Sequence, residues 1–182
     1  MPLPAEAPRT PIHHRRVDCR GYRRADGLWD LEGHLTDVKG YGFDNDFRGH
    51  IAPGEPLHEM WLRLTLDDDL VVRDVAASTE ASPYRICPEI TGNFARLKGL
   101  RIGPGFRQRA VSLVGGVQGC THIVEMLGPL ATTAIQTIMP ILGRERGPGD
   151  PSKKPRTLDT CHALRSDGEV VKRQWPQFYT GG

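Results

Sequence analysis

In the first half of the chain apolar residues recur at every second position, and in the second half at every third or fourth. In "GLWDLEGHLTDVK", Trp29, Leu31 and Leu35 share one face, while Asp30, Glu32, His34 and Thr36 alternate onto the other. A period of two predicts a half-buried strand. "LHEMWLRLTL" repeats the pattern, with His58, Met60, Leu62, Leu64 and Leu66 on one face. The acidic run Asp67 to Asp69 then reads as a solvated turn into a third strand, "LVVRDVAAST", because no further acidic residues follow at calcium-loop spacing. Successive strands joined by short turns predict an antiparallel meander. Upstream, "HHRRVDCRGYRR" reads as an edge strand whose arginines discourage edge-to-edge association. The same arginines could alternatively form a patch for phosphate or an acidic partner. Residues 40–56, rich in Gly, Asp, Asn and Pro, predict a long loop.

Beyond Pro83 the spacing becomes helical. "EITGNFARLKGL" offers Asn93 as an N-cap and Gly99 as a stop. "GPGFRQRAVSLVGG" predicts a second helix opening near Pro104. "CTHIVEMLGPLATTAIQTIM" places Ile123, Met126, Leu127, Leu130, Ala134 and Ile138 on one helical face, and Pro129 predicts a kink or a break there. Strands first and helices afterwards predict an α+β fold, an antiparallel meander of three or more strands with helices on one face. The expected organisation is a flexible N-terminal arm over 1–12, an α+β domain over 13–143, a linker over 144–156 and a C-terminal segment over 157–182. That last segment is expected to dock on the domain and to form a hairpin or strand.

Composition narrows the function classes. At 182 residues the chain can bury a core without metals or disulfides. A net charge of +2 argues against nucleic acid or an anionic membrane as the main partner. No apolar run in the sequence approaches the 18 or so residues of a membrane helix, and the N-terminus has no apolar signal region. A cytoplasmic location is the expectation. In that compartment Cys19, Cys87, Cys120 and Cys161 are expected as buried thiols, metal ligands or a catalytic thiol rather than disulfides.

The chemistry concentrates in "GGVQGCTHIVEMLG". Gly115, Gly116 and Gly119 permit a tight turn. Cys120 then falls at a helix N-terminus, where the macrodipole favours thiolate, with His122 close by. The plainer reading is a packed turn with a small buried cysteine. Cys87 and the pair Cys161–His162 extend the possible donor set, although their spacing matches no compact zinc finger. His34 beside Glu32, and His58 on the second strand, are secondary candidates for an imidazole–carboxylate cluster should those strands pair.

Several segments, among them "DGLWDLEGHLTDVK", "GEPLHEMWLRLT", "LKGLRIGPGF" and "GGVQGCTHIVEMLGPLATTAIQTI", resemble the bacterial domain of unknown function 2889 family from His13 to Pro176. That resemblance brings no activity with it. More loosely, the order of strands and helices is similar to U-type iron–sulfur cluster scaffold proteins. There, metal-binding cysteines sit in loops and the last lies beside a histidine opening a late helix. Only Cys120 and its nearby histidine match a position in that pattern; here the histidine follows the cysteine by two residues instead of preceding it.

These observations lead to a site of Cys87, Cys120 and His122, with Cys161 and His162 as further ligands, holding zinc or an iron–sulfur cluster. A metal-delivery protein or a small molecule is the expected partner. One alternative is a metal-independent enzyme in which Cys120, activated by His122, attacks a thioester or another activated carbonyl. The other is a binding module with inert, buried cysteines.

Overall fold

The structure is a computed structural model and describes residues 7–147, 150–155 and 157–182. Residues 1–6 of the expected arm, and 148, 149 and 156 of the expected linker, lie outside the described residues. The chain divides into two compact units, 1–140 and 141–182.

Among the described residues, the first unit contains six strands: β1 (His13–Arg23), β2 (Trp29–Lys39), β3 (Phe43–Asn45), β4 (Gly49–Ile51), β5 (Pro56–Leu66) and β6 (Val72–Ala81). The main sheet is antiparallel in the order β1-β2-β5-β6. This is the expected meander, with an exposed edge strand at β1. The expected loop over 40–56 contains the small β3–β4 hairpin. The alternation in β2 is strict: Trp29, Leu31, Gly33, Leu35 and Asp37 are buried, and the residues between them are partly exposed. Pairing is in register, so Leu31 faces Leu64, Leu35 faces Met60 and Asp37 faces His58 across β2 and β5. Across β1 and β2, Arg15 faces Asp37 and Gly21 faces Leu31. The turn after β5 is built on Asp67, whose carboxylate accepts the amides of Asp69 and Val71.

The segment predicted to be a helix capped by Asn93 is instead a 3-10 stretch over Cys87–Leu97, packed against β6. Asn93 lies inside it, and its side-chain amide donates to the Gln118 carbonyl. The predicted stop is correct, since Gly99 adopts φ +86. Helix α1 (Phe106–Val114) buries Phe106, Ala110 and Val114. The glycine-rich turn that follows is sterically required: a Cβ on Gly119 would collide with the Val114 carbonyl.

Helix α2 runs unbroken over Thr121–Arg146, through Pro129 and Pro140. The expected break at Pro129 does not occur, because the burial of one apolar face outweighs the single missing donor. Ile123, Met126, Leu127, Leu130, Ala134 and Ile138 are all fully buried. Two sheet glycines admit the helix: a Cβ on Gly33 would lie 3.1 Å from Met126 Sδ, and one on Gly21 would lie 2.8 Å from Thr137 Cβ. By length and composition alone α2 would also suit a membrane span. Its buried face is occupied by the sheet.

In the second unit the expected hairpin or strand is replaced by a 3-10 turn at His162–Leu164 and the short helix α3 (Glu169–Gln174). Asp159 organises the turn by accepting the amide and hydroxyl of Ser166. Burial here centres on Leu158 and Val171.

Candidate metal centre

One rung of the sheet carries polar residues on the face that is otherwise apolar. Arg15, Asp37 and His58 are cross-strand neighbours on β1, β2 and β5. The first turn of α2 brings His122 and Glu125 to the same place. Asp37 is the anchor, with its side chain only 1% exposed. A buried carboxylate is costly unless it is paired and hydrogen-bonded, and Arg15 supplies a two-pronged contact. Its Nε lies 2.8 Å from Oδ1 and its Nη2 2.7 Å from Oδ2. Arg15 also pairs with Glu125 of α2, and His13 Nε2 lies 3.2 Å from Asp37 Oδ1.

The two imidazoles approach the other side of the carboxylate. His58 Nδ1 lies 3.1 Å from Asp37 Oδ2, and His122 Nε2 lies 3.6 Å from the same oxygen. Their rings stack with centroids 3.8 Å apart. Despite its distance from Asp37, His58 Nδ1 is buried without a formed hydrogen bond. We read the contact as electrostatic, with the oxygen off the direction of the ring nitrogen. Asp37, His58 and His122 therefore form a group whose ligand atoms all lie within 4.8 Å of one another.

Protonation favours ligation. Burial pushes the Asp37 carboxyl up, but the hydrogen bonds and charge of Arg15, with help from both histidines, hold it below its ordinary value. Burial, reinforced by the neighbouring His122, pushes His58 down to about 4. Burial and the charge of Arg15 push His122 down as well. At neutral pH the group thus presents one carboxylate and two uncharged imidazoles. Two imidazole nitrogens and a carboxylate oxygen suit zinc, leaving an open position as catalytic zinc sites do. The buried, unbonded Nδ1 of His58 is the atom an ion would satisfy.

The residues singled out in the sequence are dispersed. His58 and His122 meet. Cys120 lies beside His122, with Sγ 3.7 Å from Nδ1, the nitrogen turned away from Asp37. Cys87 opens the 3-10 stretch after β6, half-buried. Among the described residues the metal-capable group contains no cysteine, so the expected cluster of Cys87, Cys120 and His122 does not assemble. Cys161 and His162 are exposed residues of the second unit. An iron–sulfur cluster, whose irons need several thiolates, has no such ligand set here. His34 lies on the outer face of the sheet, bonded to Glu59 at 3.0 Å and stacked on Trp61. Glu32, on that same face, accepts from Arg63. Asp37 and Arg15 had no motif to reveal them. The available signal was a carboxylate in phase with Trp29, Leu31 and Leu35.

A family model described as "Protein of unknown function (DUF2889)" matches residues 13–136, which include every member of the group. No curated protein and no solved structure matches the chain.

Proposed function

The chain belongs to the DUF2889 family, and from that premise we propose that it is a metal-binding protein holding a divalent transition ion, zinc foremost, through Asp37, His58 and His122. The observation that carries this reading is the meeting of ligand atoms from Asp37, His58 and His122 within 4.8 Å of one another, around a carboxylate only 1% exposed and beside two uncharged imidazoles. Ligand chemistry points the same way, since imidazole with carboxylate suits zinc and other late divalent ions. A metal-delivery protein or a small molecule entering the open position is the partner that fits such a site. Four free cysteines suit the reducing cytoplasm. The test is metal analysis of tag-free protein together with calorimetric zinc titration of the apoprotein. One equivalent of zinc is expected in the wild type, with affinity lost in His58→Gln and Asp37→Asn and kept in Cys87→Ser and Cys161→Ser. Zinc binding that survives both of the first two substitutions would overturn the reading.

A second reading follows from the alignment of Cys120 Sγ, His122 and Asp37, with gaps of 3.7 and 3.6 Å at the start of α2. In it Cys120 attacks a thioester carbonyl while His122 takes the thiol proton and returns it to the departing thiol. Acyl transfer to Cys120 that persists in chelator and disappears in Cys120→Ser would favour this chemistry over the metal.

A further inference from the structure

His122 has two faces, and the one turned away from Asp37 meets sulfur. Met60 follows His58 by one rung on the buried face of β5 and is 1% exposed. Cys120 immediately precedes α2, its carbonyl accepting the Val124 amide, and is half-buried. The Cys120 Sγ lies 3.7 Å from Met60 Sδ and 3.7 Å from His122 Nδ1. The Cys120 thiol therefore touches both a thioether and an imidazole nitrogen.

We propose that Cys120 Sγ, Met60 Sδ and His122 Nδ1 form a binding site for a single Cu(I) ion. The donor set is soft, and thiolate with thioether selects Cu(I) over zinc and the harder divalent ions. The two separations measured from Cys120 Sγ, 3.7 Å to each partner, match those of a three-coordinate ion. Bonds of roughly 2.3 Å to sulfur and 2.0 Å to nitrogen in a flat triangle place sulfur and nitrogen about 3.7 Å apart and the two sulfurs about 4 Å apart. When Nδ1 holds the ion, the proton of His122 resides on Nε2, which faces Asp37 Oδ2 at 3.6 Å. A carboxylate on the far nitrogen is the usual way a ligating histidine is oriented and made more basic. Binding releases the thiol proton to solvent and changes no oxidation state. An uncharged imidazole carries one lone pair on its nitrogens, so His122 serves one ion at a time. The Cu(I) site shares only His122 with the proposed zinc site and does not depend on it.

The test is anaerobic titration of the full-length, tag-free apoprotein with Cu(I) against bicinchoninate, with X-ray absorption on the loaded protein. One equivalent is expected, with two sulfur neighbours and one nitrogen neighbour and a thiolate-to-copper band in the ultraviolet. Cys120→Ser and Met60→Leu should each weaken binding by more than about tenfold, with circular dichroism confirming that each is folded. His58→Gln should lose zinc while still taking up one equivalent of Cu(I) on two sulfurs and one nitrogen, so the failure of one site is distinguishable from the failure of the other. Unchanged Cu(I) affinity in Cys120→Ser overturns the proposal. So does a copper environment with fewer than two sulfurs, or uptake that instead follows Cys87→Ser or Cys161→Ser.

Discussion

Acidification should destabilise the metal-free protein through His58, and the size of the effect follows from its surroundings. The side chain is 15% exposed, faced by Asp37 from β2, His122 from α2 and Arg15 from β1. Burial and His122 together outweigh the pull of Asp37 and lower the imidazole from 6.5 to about 4. Below pH 6.5 the unfolded chain takes up a proton that the folded chain refuses. The contribution of His58 to stability is therefore full above 6.5 and is lost as pH falls through the window down to about 4. Each pH unit of that window corresponds to about 1.4 kcal/mol, giving about 3 kcal/mol in all and about 2 kcal/mol between pH 7 and pH 5. The downward shift of His122 acts in the same direction. The assay is urea unfolding in chelator at stepped pH, for wild type and His58→Gln, with an NMR titration of the His58 ring. The wild-type curve should be steeper than that of the variant by about 2 kcal/mol from pH 7 to 5. Parallel curves, or a His58 ring titrating near its ordinary value, would refute the claim that burial governs this site.

Other expectations are equally direct. Asp37→Asn should lower stability by about 2 kcal/mol in urea at neutral pH. That is less than the ~3–5 kcal/mol of a fully buried pair, because Arg15 is 35% exposed and regains water. Zinc at about a hundredfold its dissociation constant should raise unfolding stability by about 2.7 kcal/mol, and His58→Gln should abolish the rise. Gly21→Ala should cost about 1–3 kcal/mol by overpacking, since the new Cβ would sit 2.8 Å from Thr137 Cβ on α2; a thermal midpoint equal to wild type would show that α2 yields there freely.

Much of the fold was legible because it rests on local periodicity. Trp29, Leu31 and Leu35 declare a strand with one dry face, and His58 was already in phase with Met60 and Leu62 on the buried face of β5. Ile123 through Ile138 declare one helical face, and all six of those positions are fully buried. Where local rules compete with packing they misled: Pro129 did not break α2, because burial of a long apolar face outweighs one missing backbone donor, and Asn93 lies inside a 3-10 stretch, its side chain donating to the Gln118 carbonyl instead of capping a helix start. The cysteines attracted attention as conspicuous residue types, yet nothing in their spacing encoded which of them would meet.

The residues by themselves determined the four strands of the main sheet, the helices α1 and α2, the faces that β2, β5 and α2 bury, and the tight turn before Cys120. Only the tertiary structure decided the site. Asp37 looks like any strand aspartate until the register of β1, β2 and β5 sets Arg15 and His58 on either side of it and α2 delivers His122 from far along the chain. The register of a sheet follows from the burial of whole faces. A polar residue in phase with a buried face must find its partners there, and those partners become known only once the strands are aligned.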